Sequence, residues 1–547
     1  MTVSGKKSSR RGGGRTARIA QREAPTDDRA NTRTGHTGCQ YHALSEPDIL
    51  RIHEGALKTL ENVGMGIIGN IPEGANTMLE QGARLSDAGR ILIPRAMVED
   101  VLASTRRGWT LHALDGERSL DISPDHVHFG TAGGAVSIRD FHTKTYRDTT
   151  LLDLYDVVRL IDTLPHIHWC YRPLIARDMP TSMDLDINTA YALITGTSKP
   201  WGITLGSQES VEIVTDMFDM ALGGSGRFRE TPCCHSVQGD GVPPLRYAEE
   251  RCKIKEASIR AGIPLMIASA PQAGATSPAA LAGTLVQVIA EALAGLVYTH
   301  AVVPGHPVAF GPWPFVADLR TGAMSGGSAE QALLSGASAQ MGKFYNLPTS
   351  VPAGMADSKA PDAQSGYEKA YTTALAGLAG ASMVHESAGM HGSLMGCILE
   401  SFVIDNDMLG SILRTVRGIE VTDETLSLDV IADVNVNGPG HYLGHNQTLS
   451  LMESEYRYPV LSDRTSPTVW EEEGALEMEA RARNTVVETL STHYPDHISM
   501  KLDDEYRNRF NILLPKNAMK PGNGCWSKAG SMSVSYTHLT LPTNREV

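Results

Sequence analysis

Side chains able to do chemistry fall in this sequence just after short apolar runs. His385 and Glu386 close the run that starts at Ser382, a pair able to hold a carboxylate or move a proton. Asp357, Lys359 and Asp362 follow the run 349–354, ahead of a helix expected to begin near Asp362, which reads equally well as that helix's cap. Arg177 and Asp178 follow the run 169–174, as a substrate fork or as a loop ion pair. Trp313 and Phe315 offer aromatic faces that attract cations. Tyr171 belongs to the run 169–174, and Gln238 ends the run 233–238 with a polar group for the same rim. The glycines at 130, 133 and 134 would let a ligand approach the backbone. His235 reads first as a satisfied core histidine.

Something must hold these groups together. The runs number eight, at 127–130, 169–174, 201–206, 233–238, 265–270, 308–313, 349–354 and 382–386, and most are followed by a stretch of 3.6-residue periodicity such as 152–161, 211–221, 279–300 or 329–345. Gly and Pro stop signals precede several, as at Lys199-Pro200 and Leu347-Pro348. Alternating strand and helix implies parallel pairing with right-handed crossovers, and eight such units can close into a (β/α)8 TIM-type barrel whose chemistry lies at the C-terminal strand ends. An open doubly wound sheet uses the same elements. The expected organisation is a disordered basic tail over 1–40, a helical N-terminal section over 41–125, the barrel over 126–415, a helical extension packed on it over 416–515, and a disordered or artefactual tail over 516–547, where 535–543 resembles translated adapter sequence.

Composition narrows the function classes. A net charge of −14 argues against nucleic acid or anionic membrane as partner and suits a cationic small molecule. No run of eighteen apolar residues suggests a membrane span, no signal peptide is apparent, and seven scattered cysteines read as reduced thiols, so a cytoplasmic protein is expected. No G-x-G-x-x-G follows a strand and no Walker loop occurs. Cys233, Cys234 and His235 are adjacent and on a strand point to alternate faces, so no metal site is expected. The segment 125–130 nearly matches a cobalamin-binding Asp-x-His-x-x-Gly signature, with its histidine one position off.

Over residues 45–515 the chain resembles the trimethylamine methyltransferase family, through Ala176-Arg177-Asp178, the segment 282–286, Val303-Pro304-Gly305, the run from Ser358 to Lys369, Ala388-Gly389-Met390 and the run from Ile404 to Asp407. The resemblance implies a barrel whose mouth meets a cognate corrinoid protein, the corrinoid (cobalamin) being carried by that partner and none being bound in this chain. Members acting on trimethylamine carry pyrrolysine at the position of Met355; members without it include glycine betaine methyltransferases, so a quaternary, betaine-like amine is the substrate implied. A quaternary nitrogen already carries the charge that makes it a leaving group. On that reading Trp313 and Phe315, with Tyr171, would contact the trimethylammonium head. His385, Arg177 or Arg320 would bind a carboxylate, Asp357 and Asp362 would complement the cation or order their loop, and Glu386 and Gln238 would complete the site. The alternatives are trimethylamine or another methylamine as substrate, a non-catalytic amine-binding module, or a lyase using Lys359 as a Schiff base. Homo-oligomerisation is left open.

Overall fold

The computed structural model describes residues 34–522, except 132, 240 and 439, together with Trp526. The expected basic tail up to residue 33, and the tail beyond 522 apart from Trp526, lie outside the described residues. The described chain divides into two compact units, one of residues 34–416 with 459–522 and Trp526, the other of residues 417–458.

In the larger unit eight short strands are each followed by a helix. The strands are β1 His128–Phe129, β2 Cys170–Tyr171, β3 Trp201–Ile203, β4 Cys234–Gln238, β5 Leu265–Ser269, β6 Val308–Pro312, β7 Ser350–Pro352 and β8 Met383–His385. The helices are α1 Leu151–Asp162, α2 Ser182–Gly196, α3 Gln208–Ala221, α4 Glu249–Ala261, α5 Leu281–Val302, α6 Ala329–Phe344, α7 Ala363–Leu378 and α8 Leu399–Arg417. Strands β2 to β6 pair in parallel in the order β6-β5-β4-β3-β2, and β7-β8-β1 form a second parallel sheet. Isolated parallel bridges Gly130↔Trp169 and Phe310↔Thr349 fall between the edge strands of the two.

Local chemistry sets the helix starts. Thr150 and Asp153 cap each other's backbone groups at the start of α1, and Asp362 accepts from Ser365 N at 2.9 Å to start α7. Past the other end of α1, buried Lys199 donates to the carbonyls of Ile161, Leu164 and Ile167 at 2.9, 2.6 and 2.7 Å, tying down the turn that follows the helix. Helix α5 is the one described helix long and apolar enough to cross a membrane; 72% of its most apolar window is buried inside the protein. Helix α2 is buried nearly all round, because residues 500–514 cover its outer face and Asn188 donates to Asn511 O while accepting from Leu513 N.

The structure departs from expectation at the edges. The section before β1 holds three helices, Glu46–Asn62, Glu73–Glu80 and Arg95–Ser104, but also strands: Gly66–Ile68 pairs with Arg246–Ala248, and Trp109–Leu111 with Leu120–Ile122. Two and three residues are too few for an alternating pattern to register. Residues 34–40 are built into the fold by their backbone, Gln40 N donating to Leu378 O at 2.8 Å. At the other terminus Lys516–Met519 forms a 3-10 turn, and Trp526 Nε1 donates to Asp156 at 2.7 Å, so ordered chain extends beyond 515. Two loops pair where no strand was expected: Ser137–Arg139 and Tyr146–Asp148, after β1, join Met390–His391 and Gly396–Cys397, after β8, in one four-stranded sheet.

Candidate active site

Inward positions near the ends of β2, β4 and β8, with Trp313 after β6, bring five rings together. The His385 ring lies 5.1 Å from those of Trp169 and Trp313, 5.7 Å from Tyr171 and 5.5 Å from His235, centroid to centroid. Three glycines make room. A Cβ at Gly130 would stand 2.0 Å from Trp169, one at Gly133 1.8 Å from Tyr171, and one at Gly202 2.5 Å from His235. The glycines after β1 therefore admit protein rings, a use that their spacing alone did not distinguish from ligand approach.

A hydrogen-bond chain threads the cluster. Trp313 Nε1 donates to Ser350 Oγ at 3.0 Å, Ser350 Oγ lies 2.9 Å from His385 Nδ1, and the two histidine Nε2 atoms are 3.3 Å apart. The arrangement that leaves no hydroxyl proton unpaired has Ser350 donating to His385 Nδ1 and His385 Nε2–H donating to His235 Nε2. His235 Nδ1 then carries a proton and, although buried, makes no well-formed hydrogen bond, the Trp201 backbone being a weak partner of the ring. Burial pushes His235 down to about 3 and His385 well below its ordinary value, so both rings stay neutral at physiological pH.

Glu386 completes the cluster. It is a non-glycine residue at φ +69°, a left-handed conformation held by Glu386 N on Thr131 O and Ser387 N on Gly130 O. Its buried carboxylate accepts from Gly133 N at 3.3 Å, and burial pushes it up to about 8. Met355, at the end of β7, is fully buried against Gly326, where a Cβ would meet the Met355 Cβ at 2.8 Å and its sulfur at 3.1 Å.

The other expected residues stand elsewhere. Arg177 is half exposed and paired with Asp148 at 2.8 Å; Arg320, 88% exposed, is paired with Asp318 at 2.8 Å. Neither reaches the rings: a carboxylate of the loop after β1 holds Arg177, and one in its own loop holds Arg320. Asp357 accepts from Ser325 Oγ, Gly326 N and Ser393 Oγ at 2.8, 2.8 and 2.6 Å, tying three loop segments together. Asp362 is the α7 cap, and Lys359 is exposed, donating to Asp357 O. Phe315 packs edge-on against Trp313 at 6.3 Å, and Gln238 is buried, donating to Ser236 Oγ at 3.0 Å. Asp405 and Asp407, two positions apart on α8, are both buried. Asp405 pairs with Lys369 at 2.7 Å, and Asp407 accepts from Val460 N and Ser462 N, since α8 is covered on two sides. Trp169, Ser350 and Gly202 were missed, although a Trp two positions before Tyr171 on one strand was a usable sign.

Among the described residues no three His, Cys, Asp or Glu side chains are grouped to hold a metal ion. His128, in the near-match to a cobalamin signature, is buried in β1 with its nitrogens at 2.5 Å from Thr34 Oγ1 and 2.9 Å from Asp121 O, which does not fit a ligand reaching out to a corrin.

A family model described as trimethylamine methyltransferase (MTTB) matches residues 11–511. This chain belongs to the trimethylamine methyltransferase family. The family member is 31% identical to a glycine betaine methyltransferase of Desulfitobacterium hafniense (strain Y51), over 85% of this chain and 95% of that one. It is 30% identical to the trimethylamine methyltransferase MttB of D. hafniense (strain DSM 10664 / DCB-2), over 84% and 91%, and 28% identical to MttB of Methanosarcina barkeri, over 83% and 92%. The crystal structure of the M. barkeri monomethylamine methyltransferase (MtmB) aligns with a TM-score of 0.42 at 12% identity, covering 87% of this chain and 96% of that one. The protein is a methyltransferase.

Proposed function

We propose that this methyltransferase takes a methyl group from a quaternary, betaine-like amine and delivers it to Co(I) of a separate corrinoid protein, in the cytoplasm, within a closed (β/α)8 barrel. The observation that carries the reading is the cluster of five uncharged rings, Trp169, Tyr171, Trp313, His235 and His385, with a carboxyl at its edge. Aromatic faces hold a quaternary ammonium by charge–quadrupole attraction, and neutral imidazoles do not repel it. A protonated histidine pair would. The two bridges between the sheets support closure, since they link β1 to β2 and β6 to β7.

Methyl transfer of this kind requires an in-line approach rather than acid–base chemistry: the C–N bond breaks, its electron pair leaves with the tertiary amine, and Co(I) supplies the pair for the new bond to carbon. The chain's own part is to hold the nitrogen, exclude water and fix the methyl direction. The weakly partnered His235 Nδ1–H is a donor for a substrate carboxylate, a role for which Arg177 and Arg320 are too far engaged. Met355 offers no electrophile for a tertiary amine, which favours a substrate already charged. Trimethylamine is the second reading, because the relative of that name is almost as similar at 30%.

The test mixes the protein with Co(I) corrinoid protein and a panel of quaternary and tertiary amines, following methylcobalamin absorbance. Methylation from the quaternary amines alone is expected. Methylation from trimethylamine alone overturns the substrate, and binding without any absorbance change overturns the enzyme reading. Unchanged transfer and affinity in His385→Ala would take that residue out of the site.

A further inference from the structure

We propose that Arg172, which follows Tyr171 at the end of β2, reads the acid end of the substrate: its guanidinium receives the carboxylate of a quaternary amino acid whose ammonium lies among the rings. The assignment rests on the betaine reading above and adds to it a residue, a charge and a selection against amines that lack the acid. A guanidinium offers five N–H donors. Nη1 donates to Thr204 O at 3.3 Å, while Nε is buried without a hydrogen-bond partner. Among the described residues no Asp or Glu forms an ion pair with Arg172, in contrast to Arg177 and Arg320. Asp186 on α2 acts on it through space but is itself bound by Gly206 N at 2.7 Å. The donors left over, on Nε and Nη2, share one edge of the guanidinium, the edge that grips a carboxylate through two parallel bonds. A buried N–H in that position calls for an acceptor that the chain does not supply.

Its place relates it to the rings. The Tyr171 hydroxyl bonds the side chain of Thr204 and Arg172 Nη1 bonds the carbonyl of the same residue, so the guanidinium stands at the hydroxyl end of a ring that belongs to the cluster. The loop after β1 passes there without a side chain: Gly134 has φ +84°, and a Cβ on it would lie 3.8 Å from Arg172 Nη2. Its neighbour Gly133 donates to the Glu386 carboxyl at 3.3 Å. Two adjacent glycines thus lie against groups of opposite sign, Glu386 suited to an ammonium and Arg172 to an acid. A zwitterion lying along Tyr171 meets both. His235 is stacked on that ring at 6.2 Å and is neutral, so its Nδ1–H gives a carboxylate one bond and no charge. Arg172 supplies the charge, which a substrate ending in a hydroxyl cannot use.

The experiment compares the binding of glycine betaine and of choline, which carries the same head without the acid, to the unaltered protein, Arg172→Lys and Arg172→Met by calorimetry. The unaltered protein is expected to prefer glycine betaine. Arg172→Met should lower that affinity by about tenfold to a hundredfold while changing choline less than about twofold, and Arg172→Lys should keep part of the preference, since an ammonium brings charge without the fork. Equal losses for the two ligands, or a preference that survives in Arg172→Met, overturn the role of Arg172 and leave the quaternary-amine reading standing. If the unaltered protein binds neither ligand, that reading falls and takes this assignment with it. Should Arg172→Met fail to fold, acetate decides on the unaltered protein: it is expected to weaken glycine betaine binding and to leave choline binding unchanged, and acetate without effect on glycine betaine overturns the proposal.

Discussion

The rings at the strand ends and the charged side chains of the loops above them were equally good candidates by residue type, yet the fold treats them in opposite ways. Trp313, Tyr171 and His385 are fixed by hydrogen bonds to side chains of other strands or their ends, and the Glu386 carboxyl holds one backbone N–H. Arg177, Arg320, Asp357 and Asp362 are engaged with neighbours close in sequence or with adjoining loops. The difference follows from surroundings. A loop charge is flanked by backbone N–H groups and by other charges within reach, so it is neutralised locally, whereas an inward side chain meets only what the opposite strands supply.

Four changes would break or sharpen that contrast. The largest effect is expected from Lys369→Met, which leaves Asp405 buried without its cation; a loss of about 3–5 kcal/mol in unfolding free energy, read by denaturant titration, would show this buried pair between α7 and α8 to be structural, in contrast to the ring cluster. Next, Trp313→Ala should weaken quaternary-amine binding by about 2 kcal/mol, roughly thirtyfold by calorimetry, with Trp313→Phe retaining much of it; equal affinity in the alanine variant would remove the cation from the rings.

Third comes pH. An unfolded glutamate ionises near 4.5, while burial holds folded Glu386 protonated up to about 8. The stability linked to this group is thus full below pH 4.5 and is lost as pH rises through 8, on the order of a few kcal/mol. Glu386→Gln should therefore match the unaltered protein's melting temperature near pH 5 and exceed it above pH 8. A bound cation pulls the carboxyl down, so affinity should tighten with pH up to about 8 and be flat in the variant; parallel profiles would separate Glu386 from the substrate. The smallest effect is expected from Arg177→Ala and Arg320→Ala, less than about 0.5 kcal/mol in stability, with substrate affinity changed less than about twofold. A tenfold loss of affinity in either would place a loop arginine in the site after all.

Much of the architecture could be read from the sequence, because eight apolar runs separated by helical periodicity leave few arrangements, and Asp362 announced the start of α7. The pairing of 137–148 with 390–397 could not, since strands of two or three residues carry no pattern. Within the site, Trp313, Tyr171, His385 and Glu386 were legible from their places at strand ends. Trp169 was not singled out and His235 read first as a core histidine, since an inward ring beside a glycine on the next strand reads as core until the strands are paired. Arg177 and Arg320 stand apart from the rings for the converse reason: Asp148, in the loop after β1, and Asp318, two residues before Arg320, hold them.

Met355 and Gly326 share one small volume, so neither can be enlarged alone. A bulkier group at 355 would have to push the loop that carries Gly326 aside, and a side chain at 326 would evict the thioether. The packing at this place is thus fixed by two positions together, one in the loop after β7 and one in the loop before α6.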